Sequence, residues 1–241
     1  NGTRGAGKSG NDRMKRLAVF LYGLCASALA GDDLSNVVNV RDALQEVPFA
    51  QVVEATTGHR VVPVSGEEHR QLIAALSKAM DDVLEALNRQ DHPLRELRRV
   101  NEASRFVEEE IRARIGGIPG WKCEIPRTSE GAEQRTGYPD LRGETADGLV
   151  FYLDPKLLAA DSRGGTLRSF YYEPKLLTGK IHDDAVHLLV GIQHDGGSME
   201  KMRFVRWELV DLSRVTVRLK AEFQASNRDL YSSDSVVAAS E

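Results

Sequence analysis

Two aspartates and a lysine stand at spacings that could do metal-assisted hydrolysis: Pro139-Asp140, and then Asp154-Pro155-Lys156. Breaking a phosphodiester needs a divalent cation against a non-bridging oxygen, an oriented water, and neutralisation of transition-state charge. Mg²⁺ is a hard ion that takes oxygen ligands, keeps several waters and needs only one or two protein carboxylates. Residues i and i+2 of a strand share a face, so Asp154 and Lys156 would point the same way. In that arrangement Asp140 and Asp154 ligate the metal, and the Lys156 ammonium orients water or offsets phosphate charge. The 13 residues between the two aspartates suit adjacent strands.

These residues need a hairpin to bring them together. Gly137 to Leu141 reads as one strand end, Glu144 to Gly148 as a turn, and Leu149 to Asp154 as the partner strand. Upstream, Ser65-Gly66-Glu67-Glu68 offers a capping box, and Leu72, Ile73, Leu76, Met80, Val83, Leu84 and Leu87 follow with helical spacing. Asp91-His92-Pro93 ends that helix and starts a second one through Leu94, Leu97, Val100, Val107, Ile111 and Ile115, closed by Gly116-Gly117. Downstream strands are expected over 167–172, 187–192, 202–210 and 215–223, with a turn or short helix near 181–187. Phe151 to Leu158 is echoed by Phe170 to Leu177, so Glu173 and Lys175 form an alternate acid–lysine pair.

The Pro-Asp and Asp-x-Lys strings, with this hairpin and its flanking elements, resemble the PD-(D/E)xK nuclease superfamily, the fold of most type II restriction endonucleases. The resemblance spans roughly residues 96–223. It implies an α+β or α/β fold, with a mixed central sheet flanked by helices and an N-terminal helical region in front. It further implies a Mg²⁺-dependent endonuclease acting on double-stranded DNA, commonly as a homodimer. In the family a carboxylate on the preceding helix often completes the metal site. With Val107 and Ile111 turned inward, Glu108 and Glu110 fall on the flanks and Glu109 faces solvent, so Glu108 is the candidate. Its alternative is a solvated acidic face. Pro155 departs from the family's usual small or apolar residue; it cannot donate a ladder hydrogen bond, which points to an edge or a bulge.

Arg163, Arg168, Ser169 and Lys180 follow the motif and are of phosphate-contacting types. Residues 201–231 hold seven basic against four acidic side chains, a local excess in a chain of net charge −4. That net charge excludes a globally basic nucleic-acid coat and leaves room for a local groove. Cys25 and Cys123 form no CxxC pair and the histidines form no HExxH string, so any metal chemistry is carboxylate chemistry. His187 reads as an interior histidine, and Phe204 and Trp207 as core. With 41% hydrophobic residues the chain is too apolar for disorder.

Gly2 to Ser9 matches a phosphate-binding glycine loop but lacks the strand such a loop needs in front of it. Leu17 to Leu29 is read as an internal helix between an Asn11 or Asp12 cap and Gly31. If translation starts at Met14, the same run is a secretory leader ending at Ala28-Leu29-Ala30. The expected divisions are 1–31, a tail and apolar helix; 32–95, a helical region; 96–231, the nuclease-like core; and 232–241, a loose tail. The expected setting is cytoplasmic, without a membrane. Two readings compete with the endonuclease: a DNA-binding protein that has lost catalysis, and an exported protein whose acid–lysine pairs are structural.

Overall fold

The turn expected between the two chemical strings is present and tight. Thr145 N–H donates to Leu149 O at 3.0 Å and Gly148 N–H to Thr145 O at 3.0 Å. Gly148 closes the turn at φ +83°, a conformation that favours glycine. A computed structural model describes residues 39–165, 170–175, 178–220, 226–230 and 237–238. The glycine loop at 2–9, the Met14 leader or helix, and Arg168 and Ser169 lie outside the described residues.

In chain order the elements are β1 (Val47–Pro48), α1 (Phe49–Thr57), β2 (Val61–Val62), α2 (Gly66–Asn88), α3 (Ser104–Gly116), β3 (Lys122–Glu124), β4 (Leu141–Glu144), β5 (Val150–Ala159), β6 (Ala185–His194), β7 (Phe204–Asp211), β8 (Thr216–Val217) and α4 (Asn227–Leu230). The sheet runs β2-β6-β5-β4-β3, and β7 pairs with β6. It is mixed: β5 and β2 run parallel to β6, while β3-β4-β5 and β6-β7 are antiparallel. Helices lie on both faces. Leu72, Leu76, Met80, Val107 and Ile111 of α2 and α3 pack with Phe151, Leu153, Leu188 and Val190. Phe49 and Val53 of α1 pack with Tyr138, Tyr152 and Ala185 on the opposite face. This is the mixed sheet flanked by helices expected of a restriction-endonuclease-like fold. Alternation along β5 sends Phe151 and Leu153 to the α2/α3 face, and with it Asp154 and Lys156 to the side of Tyr152.

Four local expectations are corrected. Ser65 precedes α2, but its hydroxyl makes no capping bond; instead its N–H donates to His69 Nδ1 at 2.9 Å. The imidazole thus does the reaching back expected of Glu68. The second helix is not continuous from residue 93: 3₁₀ turns at Pro93–Glu96 and Val100–Ala103 precede α3. His92 does cap, its Nδ1 accepting from Leu94 N–H at 3.2 Å. Residues 170–172 are not strand, because Phe170 and Tyr172 pack edge-on against Phe49 of α1 instead of entering a ladder. Of the strand expected over 215–223, the described residues 215–220 form only Thr216–Val217, paired with β1.

Pro155 occupies the edge-like position its chemistry requires. The last β4–β5 pair is Leu141 with Leu153, whereas β6 continues alongside β5 through Ala159. From Asp154 onward, therefore, the described ladder partners β5 on one side.

The hairpin is sealed by a glycine. A Cβ at Gly143 of β4 would lie 2.1 Å from the Phe151 ring, which is itself fully buried and in contact with Trp121. Gly143→Ala is expected to destabilise the protein by about 1–3 kcal/mol through overpacking. Chemical denaturation checks this; an unchanged midpoint would mean the ring can move aside freely.

Candidate active site

Asp140 immediately precedes β4, and the Leu141–Leu153 register, continued by one step, sets it opposite Asp154. Two carboxylates facing across an antiparallel pair repel. Lys156, two residues along the same face of β5, inserts its ammonium between them. Its Nζ lies 2.7 Å from Asp154 Oδ2 and 3.3 Å from Asp140 Oδ2. The structure thus brings Asp140, Asp154 and Lys156 into one cluster.

Burial gives this cluster its electrostatic character. Asp154 is 2% exposed. Burial, with the Asp140 charge adding to it, pushes its carboxyl up to about 7, against the pull of Lys156. Burial works against the Lys156 charge as well, but Asp154 and Asp140 outweigh it and hold the ammonium above its ordinary range. Lys156 therefore remains a cation and a donor at neutral pH. Asp154 Oδ2 touches the ammonium at 2.7 Å but is not aligned with it as a hydrogen bond, and this buried oxygen has no hydrogen-bond partner.

Glu108 lies on α3. Its carboxyl is half-buried and raised, first by burial and then by Asp140, with Arg135, Lys156 and Lys180 opposing. Arg135 lies 3.8 Å from both Glu108 and Glu109. Glu109 is tied to Arg105, and Glu110 turns away toward Arg114 and His92. Among the described residues no three carboxylate, imidazole or thiolate groups gather closely enough to hold one ion. Glu108 lies close enough to the cluster to be coupled to Asp140, Lys156 and Lys180.

The remaining candidates separate. Glu173 and Lys175 pair with each other at 3.2 Å on a non-strand segment, with the Glu173 side chain largely exposed. Lys175 lines a cleft with Gln134, Thr136, Tyr138, Tyr172 and Lys180. Arg163 is exposed and forks onto Glu208 at 2.8 and 3.1 Å. Lys180 is not at the surface expected of a phosphate contact: it is 2% exposed, with its Nζ donating to Gln134 O at 3.1 Å and to Gly137 O.

Sequence reading missed the support behind Asp140. Tyr138 Oη lies 2.6 Å from His187 Nδ1, and the two rings stack with centroids 5.9 Å apart. Burial pushes His187 down to about 3, so it is a neutral imidazole. Its other nitrogen, Nε2, is buried without a partner. The only sequence signal for Tyr138 was its place beside Pro139-Asp140.

The donor set suits a hard divalent cation. Two oxygen ligands already surround a positive centre, and one of them, Asp154, lacks a hydrogen-bond partner and needs nearby positive charge to stay ionised at neutral pH.

Comparison with known proteins identifies the family. A family model described as the type II restriction enzyme MjaV family matches residues 43–234. The type II restriction enzyme MjaV of Methanocaldococcus jannaschii is 27% identical over 207 residues, covering 80% of this chain and 89% of that protein. No solved structure matches the chain.

Proposed function

Since the chain belongs to the type II restriction enzyme MjaV family, and so is a site-specific DNA endonuclease, we propose that Asp140, Asp154 and Lys156 form its hydrolytic centre. Type II restriction enzymes generally depend on a divalent metal; here we assign Mg²⁺, held by Asp140 and Asp154. A cation held there would polarise the scissile phosphate and make a nearby water more acidic. Lys156, kept protonated by its two acid neighbours, donates to the attacking water or to a non-bridging phosphate oxygen. It cannot serve as the base, because it has no free lone pair. Glu108, coupled to Asp140 across the edge of the cluster, assists at the same metal site. The water oxygen bonds to phosphorus as the water gives up a proton to bulk solvent, the bond to the departing sugar oxygen breaks, and that oxygen takes up a proton from solvent.

The observation that carries this reading is the single ammonium shared by Asp140 and Asp154 at 3.3 and 2.7 Å. Asp154 and Lys156 are favoured over Glu173 and Lys175 because only the former pair is buried against Asp140. Among the described residues no helix is long and apolar enough to cross a membrane. The proposed setting is the cytoplasm, with double-stranded DNA as substrate and a homodimer as the working unit. Plasmid digestion with Mg²⁺, with and without EDTA, tests the assignment. Discrete fragments that vanish with EDTA are expected; fragments that persist with EDTA, or no cleavage at all with Mg²⁺, would overturn it.

A further inference from the structure

We infer that Lys180 is a positioning residue that fixes Asp140 by latching the loop from which Pro139-Asp140 emerges, and is not a contact to DNA. The inference rests on the hydrolytic role proposed for Asp140. Lys180 is 2% exposed, and its ammonium donates to Gln134 O at 3.1 Å and to Gly137 O. These two carbonyls bracket the last loop residues before Tyr138-Pro139-Asp140. The segment that carries Lys180 is itself anchored: Ser129 N–H donates to Gly179 O at 3.1 Å, and Ile181 is buried in the α1-side core.

A neutral donor could hold two carbonyls at lower cost than a buried ammonium, which must be desolvated. The acid cluster offsets part of that cost, although burial prevails and holds the ammonium below its ordinary range. Burial lowers the Lys180 ammonium, while Asp140, Asp154 and Glu108 act in the opposite direction. Around the cluster, then, three carboxylates face two ammonium groups, Lys156 inside and Lys180 behind the loop. The hydrogen bonds hold the loop in place, and the charge lowers the repulsion that would otherwise spread the carboxylates. Misplacing a catalytic group by about 1 Å can cost on the order of a hundredfold in rate, so the latch has leverage on catalysis without touching substrate.

The test measures single-turnover cleavage at saturating Mg²⁺, together with binding of a duplex containing the cut site in EDTA. Lys180→Met is expected to slow cleavage about 10–100-fold and leave duplex affinity within about twofold. Lys180→Arg, which keeps charge and donors, should restore most of the lost rate. Gly137 sits at φ +81° with open space around a would-be Cβ, so Gly137→Ala disturbs the latched carbonyl through the backbone alone. The Met and Ala changes should be non-additive if both act through the same loop. If Lys180→Met does not fold, Gly137→Ala alone decides: a slowed rate with intact duplex affinity is expected. A normal rate in the variant that decides overturns the inference. So does weakened duplex binding with an unchanged saturated rate, which would make Lys180 a DNA contact. Asp140→Ala serves as the control. If it cuts normally, the active-site reading itself has failed; if it is inactive while the latch variants cut normally, only this inference has.

Discussion

Asp140→Ala and Lys156→Ala are expected to lose cleavage, the first to below detection and the second by at least about 10²–10³-fold, the scale seen when one preorganised charge stabiliser is removed. The asymmetry follows from the geometry. Asp140 is one of the two aspartates that hold the shared positive centre. Lys156 has a different task. It neutralises carboxylates at 2.7 and 3.3 Å in the resting protein, and it remains an ammonium because of them. Without it, Asp140 and Asp154 face each other unshielded, and Asp154 is pushed further toward its protonated form. That protonation relieves the repulsion and lets the fold survive, which thermal melting would verify. Lys156→Arg is not expected to rescue fully, since a planar fork differs from a compact ammonium between two acids. Near-normal plasmid nicking by well-folded forms of both alanine variants would remove these residues from the chemistry.

The second large effect is on pH. With the Asp154 carboxyl pushed up to about 7 by burial and by Asp140, a proton competes with the cation for this ligand in the neutral range. At low, fixed Mg²⁺ the cleavage rate should fall about tenfold for each pH unit below that value, and level off above it. Raising Mg²⁺ should move the fall to lower pH, because cation and proton compete. Stability without metal runs the other way. The folded-state value lies above the unfolded value of about 3.9, so the folded protein binds the proton more tightly. The stabilisation is fully present below about pH 3.9, declines as pH rises, and is gone once pH passes about 7. Added Mg²⁺ stabilises by binding the folded state, so its effect on the melting temperature should be larger at about pH 8 than at about pH 6. A pH-independent rate at low Mg²⁺, or an equal melting shift at both pH values, would mean Asp154 is not the competing ligand.

The amphipathic stripe of α2, the hairpin with its glycine turn, and the inward alternation of β5 were legible in the sequence. Each is a local matter: a period of 3.6 or 2, or a residue that alone tolerates its φ. The acid–lysine spacing was legible for the same reason, since i and i+2 on a strand share a face whatever surrounds them. What failed were patterns that fit two outcomes. Phe170-Tyr171-Tyr172 has the composition of a strand, but the Phe170 and Tyr172 rings pack on Phe49 of α1 and the segment joins no ladder. Ser65 and Glu68 had capping-box spacing, but His69 reached the Ser65 N–H instead.

Between two nearly identical acid–lysine pairs, the sequence could rank Asp154 and Lys156 first only by their closeness to Asp140 along the chain. Phe151 to Leu158 and Phe170 to Leu177 have the same pattern, and only strand register places Asp154 opposite Asp140 and leaves Glu173 in solvent. Lys180, in irregular chain, had no periodicity to say whether it faced water or the site. Its burial is set by carbonyls more than forty residues away in sequence. Residue types and spacing therefore determined which chemistry this chain could do. The tertiary structure decided which copies meet, because desolvation and charge coupling act across distances that the order of residues does not encode.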